Sequence, residues 1–210
     1  MTNWEKEVKT IQNELPISAF DIPENIFNRL KELAYENKKE ERLYTDKLAG
    51  HIKEEYALSI DKFVNDYFAW CSAQGPVYES WSKKSYLSDN MPVFLESLWV
   101  NYQKKYEFNP IHNHHGFCSF IVFVNIPYDL KKEENYFSKI NPSCQNHTSK
   151  LSFINTNTLG EIITHCVDVD KSFEGKMLMF NSIQSHMVYP FYTSDDYRIT
   201  ISGNLKFKVK

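Results

Sequence analysis

The sequence predicts a mainly β fold, a sandwich or barrel, supported by N-terminal helices. Apolar residues recur at helical spacing within residues 1–90, whereas short β-branched and aromatic runs separated by turn residues follow in 91–210. No linker or internal repeat interrupts either part, and 210 residues suffice to bury one hydrophobic core. We therefore expect a single domain over residues 1–210, with helical support in 1–90 and the β core in 91–210.

The N-terminal part contains the signals of one strand and two helices. The apolar run 15–20 is a candidate strand, and Asp21-Ile22-Pro23 is typical of a helix start, from which the apolar spacing predicts a helix of about 18 residues. Ser59 is the predicted N-cap of a second helix, which Gly75-Pro76 ends. Aromatic residues at helical spacing are typical of core packing, so we expect these helices to cover the outer face of a sheet.

The second part contains short strands and one longer polar segment. The segment 131–150 has weak periodicity, and we predict an insertion without regular structure there, either a lid or binding loop or plain surface decoration. The predicted strands are residues 98–103, 118–126, 151–155, 161–167, 176–180, 186–189 and 198–207.

Composition narrows the function classes. A net charge of -3 and a pI near 6.2 give no basic surface for nucleic acids, and no apolar run reaches the roughly 20 residues of a membrane span. The N-terminus lacks the apolar segment of a signal peptide, and the cysteines lie far apart without a C-x-x-C pair. We expect a cytoplasmic protein with reduced thiols that acts on a small molecule or a side chain, without a nucleic-acid or membrane partner. The cysteines are Cys71, Cys118, Cys144 and Cys166.

A histidine cluster precedes the longest apolar run of the β part. Three of the seven histidines occupy positions 112, 114 and 115. Side chains two apart in an extended segment point the same way, so His112 and His114 converge while His115 faces away. Two imidazoles hold a first-row metal weakly, and His186 is available as a third ligand. We predict a metal site formed by His112, His114 and His186, with no catalytic residue beyond these ligands.

Other ligand sets stay open at this point. A common site for a first-row metal has two histidines and one carboxylate, and His114 would stand in the place of the carboxylate. An alternative is that His115 or a water molecule takes this place. A closed zinc site needs a fourth ligand, usually a cysteine, and Cys118 lies too far along the strand to join. Three histidines leave the site one charge unit more positive than the usual set, which favours anionic ligands.

Arg198 is the candidate anchor for such an anionic ligand. It follows the third histidine by twelve residues, and a planar guanidinium binds a carboxylate through two parallel hydrogen bonds. Thr200 shares its face of the strand and offers a hydroxyl. Tyr102, ten residues before His112, is a second candidate to bind this anionic ligand, through its phenol. The ordinary alternatives are a surface ion pair of Arg198 with a nearby aspartate and core packing of Tyr102.

Four stretches of the chain resemble a known family of enzymes. They are residues 98–114, which end in the His-x-His pair, 180–191 around the distal histidine, 47–52 and 198–204. These stretches are similar to 2-oxoglutarate- and Fe(II)-dependent oxygenases of a group in marine bacteria and their phages. That group has no assigned substrate and is distantly similar to prolyl 4-hydroxylases. The resemblance spans about residues 45–205 and includes the His-x-His form of the metal site.

The resemblance implies a double-stranded β-helix, a jelly-roll barrel of the cupin type, with the cofactors Fe(II), 2-oxoglutarate and O2. It assigns the metal to His112, His114 and His186, and the co-substrate to Arg198 and Thr200. It also implies hydroxylation of an unidentified substrate with release of succinate and CO2. Two alternatives stay open: a cupin-like three-histidine dioxygenase that needs no 2-oxoglutarate, and a non-catalytic barrel that binds a metal or a small ligand.

Overall fold

The structure is a computed structural model that describes residues 9–12, 15–82, 92–140, 142 and 146–208. Its strands form two antiparallel sheets, and helices pack on one of them. The strands are β1 (Lys9–Gln12), β2 (Leu15–Asp21), β3 (Glu55–Ala57), β4 (Val93–Gln103), β5 (Asn109–His112), β6 (Cys118–Asn125), β7 (Leu151–Thr156), β8 (Ile162–Val167), β9 (Lys176–Asn181), β10 (His186–Val188) and β11 (Arg198–Phe207). The helices are α1 (Glu24–Glu36), α2 (Lys62–Ser72), α3 (Gly75–Ser82) and α4 (Leu130–Ile140).

The larger sheet has seven strands in the order β1-β2-β9-β6-β11-β4-β3. The long strands β4, β6 and β11 are rich in β-branched and aromatic residues, which pack well on a pleated surface. In their register, Arg198 lies opposite Gln103 and Thr200 lies opposite Asn101. Because directly opposite residues point to the same face, this register collects four polar side chains on one face of the sheet.

Helices α1 to α3 belong to the layer behind the opposite face of that sheet. Phe68 of α2 stacks on Phe120 of β6 with ring centroids 3.9 Å apart, and Ile26 and Leu30 of α1 belong to the same apolar cluster. Fully burying an apolar side chain of this size stabilises the fold by roughly 1.5–3 kcal/mol. The helices thus support the sheet from behind, as the sequence predicted.

The smaller sheet covers the polar face of the larger one. Its four strands follow the order β5-β10-β7-β8. Ile121 and Phe123 of the larger sheet pack in one cluster with Leu151 and Phe153 of the smaller one. This pair of facing antiparallel sheets, with helices behind the larger, confirms the predicted mainly β fold class.

All seven predicted strands are present, but two helix boundaries were predicted wrongly and one helix was not predicted. Helix α1 has 13 residues rather than about 18. The N-cap of α2 is Asp61, whose carboxylate accepts from the backbone N–H of Val64 at 2.9 Å, and not Ser59. Asp61 also pairs with Arg29 at 2.9 Å, so tertiary contacts favour this cap. Helix α2 ends at Ser72, just before the predicted stop at Gly75-Pro76, and a third helix that the sequence did not predict begins at Gly75, where φ is 72°.

The prediction that residues 131–150 lack regular structure is wrong, because Leu130–Ile140 form α4. Its Glu133 is fully buried and accepts from the backbone N–H of Thr193 at 2.7 Å and from the hydroxyl of Thr148 at 3.1 Å. A carboxylate therefore anchors this helix, which explains why apolar periodicity did not reveal it. Residues 141 and 143–145 of the segment lie outside the described residues.

The N-terminal part also contributes strands to the larger sheet. Strand β2 pairs with β9, and β3 pairs with β4 at the edge. The predicted boundary between residues 90 and 91 lies outside the described residues. Cys71, Cys118 and Cys166 are free thiols, and Cys144 also lies outside the described part. No helix that the structure describes has the length and apolar character needed to cross a membrane.

Candidate active site

A cleft of about 720 Å³, continuous with solvent, lies between the two sheets. Five of the six predicted site residues line it, and both sheets contribute to its wall. These five residues are His112, His114, His186, Arg198 and Thr200.

Strand pairing brings two of the histidines together. His186 of β10 lies directly opposite His112 of β5, and their ring centroids are 4.2 Å apart. These residues are distant in sequence, so the meeting depends on the smaller sheet and not on a local motif. The aromatic ring of Phe180 lies 4.8 Å from the His186 ring and closes that side.

His114 joins the pair from the segment after β5. Its backbone N–H donates to the carbonyl of Ser182 at 2.8 Å, and its ring lies 5.0 Å from His112 and 5.2 Å from His186. The chain turns at Gly116, where φ is +122° and a Cβ would lie 2.7 Å from the carbonyl oxygen of Leu205. One ligand atom from each of the three histidines lies within 4.8 Å of the others. His115 is exposed and outside this set.

The hydrogen bonds of two histidines prepare them to bind a metal. The Nδ1 atom of His112 donates to the carbonyl of Pro110 at 2.7 Å, and that of His186 donates to the carbonyl of Gln184 at 2.9 Å. Because a carbonyl only accepts, each ring carries its proton on Nδ1 and leaves Nε2 with a free lone pair. Such backbone contacts fix the tautomer and the ring orientation of histidine ligands.

The three imidazoles are also neutral. Burial, with a smaller contribution from the nearby His112, lowers the pKa of His186 to about 3. Burial likewise lowers the pKa of His114 to about 4, again with a contribution from His112. The pKa of His112 itself is lowered by burial. A metal ligand must be an unprotonated imidazole, so the chemistry of this donor set fits a first-row divalent ion.

Arg198 is a buried cation that lies in the same cleft. Its side chain is almost fully buried, and no carboxylate of the described residues pairs with it. The aspartate pairing considered from the sequence is not formed, because Asp195 pairs with Lys105 at 2.6 Å. The five guanidinium N–H groups donate instead to the neutral acceptors Gln103 Oε1 (twice), Tyr128 Oη, Ser149 O and Tyr189 O.

Thr200 lies beside Arg198 on the inner face of β11. Its hydroxyl accepts a hydrogen bond from the amide of Asn101 at 3.1 Å. Leaving a guanidinium in a low-dielectric site without a negative partner is costly, so the pair Arg198 and Thr200 suits an anion with several oxygen acceptors.

The structure does not bring Tyr102 to the cleft, which corrects the expectation from the sequence. Its phenol donates to the carbonyl of Ala34 in α1 at 3.2 Å, and its ring belongs to the cluster under the helices. Side chains alternate along a strand, so the cleft-facing positions of β4 are the neighbours Asn101 and Gln103. Tyr102 is therefore a core residue, which is the ordinary alternative considered from the sequence.

Six polar residues of the cleft were not predicted from the sequence, and Ser119 and Ser202 are two of them. Asn101 and Gln103 follow from strand alternation once the face of Tyr102 is known. Glu55 and Asn109 also line the cleft, but nothing in the sequence marks them apart from the polar residues around them.

Comparison with known proteins identifies the family. The family described as "Putative 2OG-Fe(II) oxygenase" matches residues 97–204, just over half of the 210-residue chain. The matched segment contains the three histidines, Arg198 and Thr200. No curated protein matches the chain.

Solved structures support the fold. A prolyl-4-hydroxylase from Pseudomonas putida is similar to this chain with 13% sequence identity and a TM-score of 0.54, over 92% of this chain and 94% of that chain. OsALKBH1 is similar with 9% identity and a TM-score of 0.48, over 93% of this chain and 100% of that chain. The likeness to the prolyl-4-hydroxylase supports the double-stranded β-helix.

The family match decides among the three functions considered from the sequence. The match favours a 2-oxoglutarate-dependent enzyme over a dioxygenase that needs no 2-oxoglutarate and over a non-catalytic barrel. The three neutral histidines form a possible site for the iron that such an enzyme requires. The chain therefore belongs to the 2-oxoglutarate- and Fe(II)-dependent oxygenases, enzymes whose cofactors are Fe(II), 2-oxoglutarate and O2.

Proposed function

We propose that the enzyme hydroxylates an organic substrate, with His112, His114 and His186 as ligands of Fe(II), and with Arg198 and Thr200 holding the distal carboxylate of 2-oxoglutarate. One observation carries this proposal: three neutral imidazoles converge in a cleft that also contains a buried guanidinium without a carboxylate partner among the described residues. Bound Fe(II) and 2-oxoglutarate supply the oxidation, in which O2 converts a substrate C–H to C–OH while 2-oxoglutarate becomes succinate and CO2.

The histidines determine how many positions stay open for ligands. Three histidine ligands would hold Fe(II) and would leave room at the ion for a co-substrate and O2. The backbone carbonyls of Pro110 and Gln184 hold two of the rings in place. With a histidine in place of the usual carboxylate, the protein ligands add no negative charge, which favours an anionic 2-keto acid.

Arg198 and Thr200 give the site its preference for a diacid. A carboxylate that accepts from the guanidinium neutralises a buried charge that has only neutral partners in the described structure. The hydroxyl of Thr200 adds a donor two residues along the same strand. A 2-keto acid without the second carboxylate lacks both contacts.

Apolar side chains exclude water around the histidines. Trp99 and Phe180 are almost fully buried, and their rings lie 5.7 Å from His114 and 4.8 Å from His186 respectively. A dry wall of this kind strengthens the electrostatic contacts of the site and limits side reactions.

The finer assignment rests on the resemblance in sequence. The His-x-His pair supports membership of the group from marine bacteria and phages, and the free thiols are consistent with a cytoplasmic enzyme.

A succinate-release assay tests the proposal. Purified enzyme with Fe(II), 2-oxoglutarate and O2 is expected to release succinate slowly without substrate and faster with the correct one. His114→Ala is expected to abolish release, whereas the exposed neighbour change His115→Ala is expected to retain it. Equal loss in both variants, or release without Fe(II), would contradict the assignment.

A further inference from the structure

Glu55 is a buried acid in the same cleft, and the chemistry proposed above gives it no role. It begins β3 at the edge of the larger sheet, and its side chain is 0% exposed. Neither of its carboxylate oxygens has a hydrogen-bond partner among the described residues. Within that part of the chain, the atoms that converge on a metal position come from the three histidines, so Glu55 does not belong to the metal site.

Two asparagines add further acceptors beside Glu55. Asn101 lies directly opposite Glu55 on β4, and its amide nitrogen donates to Thr200, while its Oδ1 is buried without a partner in the described structure. Asn109, at the start of β5, has a buried Oδ1 that likewise lacks a described partner. We call Glu55, Asn101 and Asn109 the acceptor cluster.

Asn109 packs directly against Gly50, where only a residue without a side chain fits. A Cβ at this position would lie 2.1 Å from Asn109 Oδ1 and 3.4 Å from Glu55 Oε1. Two of the three acceptors therefore lie beside Gly50, and any side chain at position 50 would push Asn109 out of its place in the cluster.

The acceptor cluster lies beside the proposed co-substrate site. Glu55 lies opposite Asn101, and Asn101 lies opposite Thr200, so the three side chains form one row across the sheet. Neighbouring strands are about 4.8 Å apart, which separates the backbones of Glu55 and Thr200 by about 10 Å. The cleft thus has a cationic region around Arg198 and an acidic region around Glu55.

The unpaired atoms of the cluster define the chemistry of a ligand. When Glu55 is ionised they are all acceptors, so a ligand that pairs with them must supply several N–H or O–H donors. Burial, with a smaller contribution from the charge of Glu107, raises the pKa of Glu55 to about 7. A nearby cation favours the ionised form of such an acid, whereas a neutral alcohol offers one donor and no charge.

Resting on the function proposed above, we propose that the acceptor cluster binds a cationic nitrogen group of the substrate, a protonated amine or a guanidinium. The cluster thereby orients the remainder of the substrate toward the three histidines. The substrate class is a nitrogen base, either a free molecule or a side chain of a polypeptide.

Calorimetry with small probes tests the proposal. The full chain is titrated at about pH 8, above the pKa of Glu55, with n-butylammonium, n-butylguanidinium, n-butanol and butyrate. At least one cation is expected to bind, and the neutral and anionic probes are expected to bind at least tenfold more weakly. Binding of n-butanol as tight as that of both cations would overturn the proposal.

Variants separate the cluster from the general charge of the protein. Glu55→Gln keeps the shape and is expected to weaken cation binding about tenfold or more. Glu54→Gln is the matched control, because Glu54 pairs with Lys38 at 2.9 Å and lies outside the cleft lining, and it is expected to leave binding unchanged. Gly50→Ala displaces Asn109, because the added Cβ would lie 2.1 Å from its Oδ1, and is expected to weaken binding as well. Equal affinities in the wild type, Glu55→Gln and Gly50→Ala, with melting curves showing all three folded, would overturn the proposal.

Titration of the same samples with 2-oxoglutarate in the presence of Fe(II) distinguishes a wrong substrate class from a wrong proposed function. If 2-oxoglutarate binds and no cation binds, the substrate class is wrong and the proposed function stands. If 2-oxoglutarate itself fails to bind, the proposed function is wrong. Free L-lysine and L-arginine, compared with derivatives blocked at both the α-amino and the carboxyl group, then show whether the base belongs to a free molecule or to a polypeptide.

Discussion

Replacement of Arg198 tests the proposed 2-oxoglutarate site most sharply. The guanidinium donates five hydrogen bonds to neutral acceptors. When the distal carboxylate of 2-oxoglutarate binds, it would replace two of these neutral acceptors by charged ones. Neutral hydrogen bonds contribute about 0.5–1.5 kcal/mol and charged ones about 1.5–3 kcal/mol. The exchange is thus worth about 2–3 kcal/mol, or roughly 30- to 150-fold in affinity.

The assay compares two ligands in each variant. The second ligand, 2-oxopentanoate, carries a methyl group where 2-oxoglutarate has its distal carboxylate. Arg198→Met is expected to weaken 2-oxoglutarate binding to the Fe(II)-loaded protein about 100-fold and to leave 2-oxopentanoate nearly unchanged. Arg198→Lys keeps the charge but loses the two parallel bonds, so an effect of about tenfold is expected. Because the comparison lies within one variant, general damage to the fold cancels. Equal losses for both ligands, or no loss for either, would refute the assignment of Arg198.

Three further predictions concern Glu55, Gly116 and Tyr102. The folded chain keeps the Glu55 proton up to about pH 7, whereas the unfolded chain releases it near pH 4.5, so the free energy of unfolding should fall as pH rises through this window, by up to about 3 kcal/mol. Glu55→Gln should abolish this decline in denaturant titrations. If the free energy of unfolding changed with pH in the same way in the variant and in the wild type, the burial of the acid would be contradicted. Gly116→Ala should lower the free energy of unfolding by about 1–3 kcal/mol, because φ is +122° and the added Cβ meets the Leu205 carbonyl oxygen at 2.7 Å; an unchanged urea midpoint would exclude that turn. Tyr102→Phe should leave 2-oxoglutarate affinity unchanged and cost about 1 kcal/mol of stability through the lost bond to Ala34, so a large loss of affinity would return Tyr102 to the site.

Local patterns in the sequence were sufficient to predict most of the fold and to select five residues that line the cleft. The spacing of His112 and His114 and the strand alternation of Arg198 and Thr200 are set by the geometry of an extended chain. The meeting of His112 with His186 depends on the pairing of β5 with β10, which spacing alone does not specify. The resemblance to a family supplied that link.

The errors have identifiable physical causes. Positions 98–103 of β4 are buried on both faces of the sheet, so no alternation of polar and apolar residues indicated which way Tyr102 points. Helix α4 is anchored by the buried carboxylate of Glu133, which apolar periodicity does not detect. Glu54 and Glu55 are adjacent acids, and only the position of β3 in the sheet decides that Glu55 is the buried one.

The central claim is that three histidines form the iron site, and an anaerobic visible spectrum tests it most directly. We predict that addition of Fe(II) and 2-oxoglutarate to the purified protein produces a charge-transfer band, and that the band reaches its full intensity at one iron per chain. His112→Ala and His114→Ala should lose both the band and the iron, and His115→Ala should retain both. A colourless wild-type mixture, or a band that persists in His112→Ala and His114→Ala, would contradict the claim.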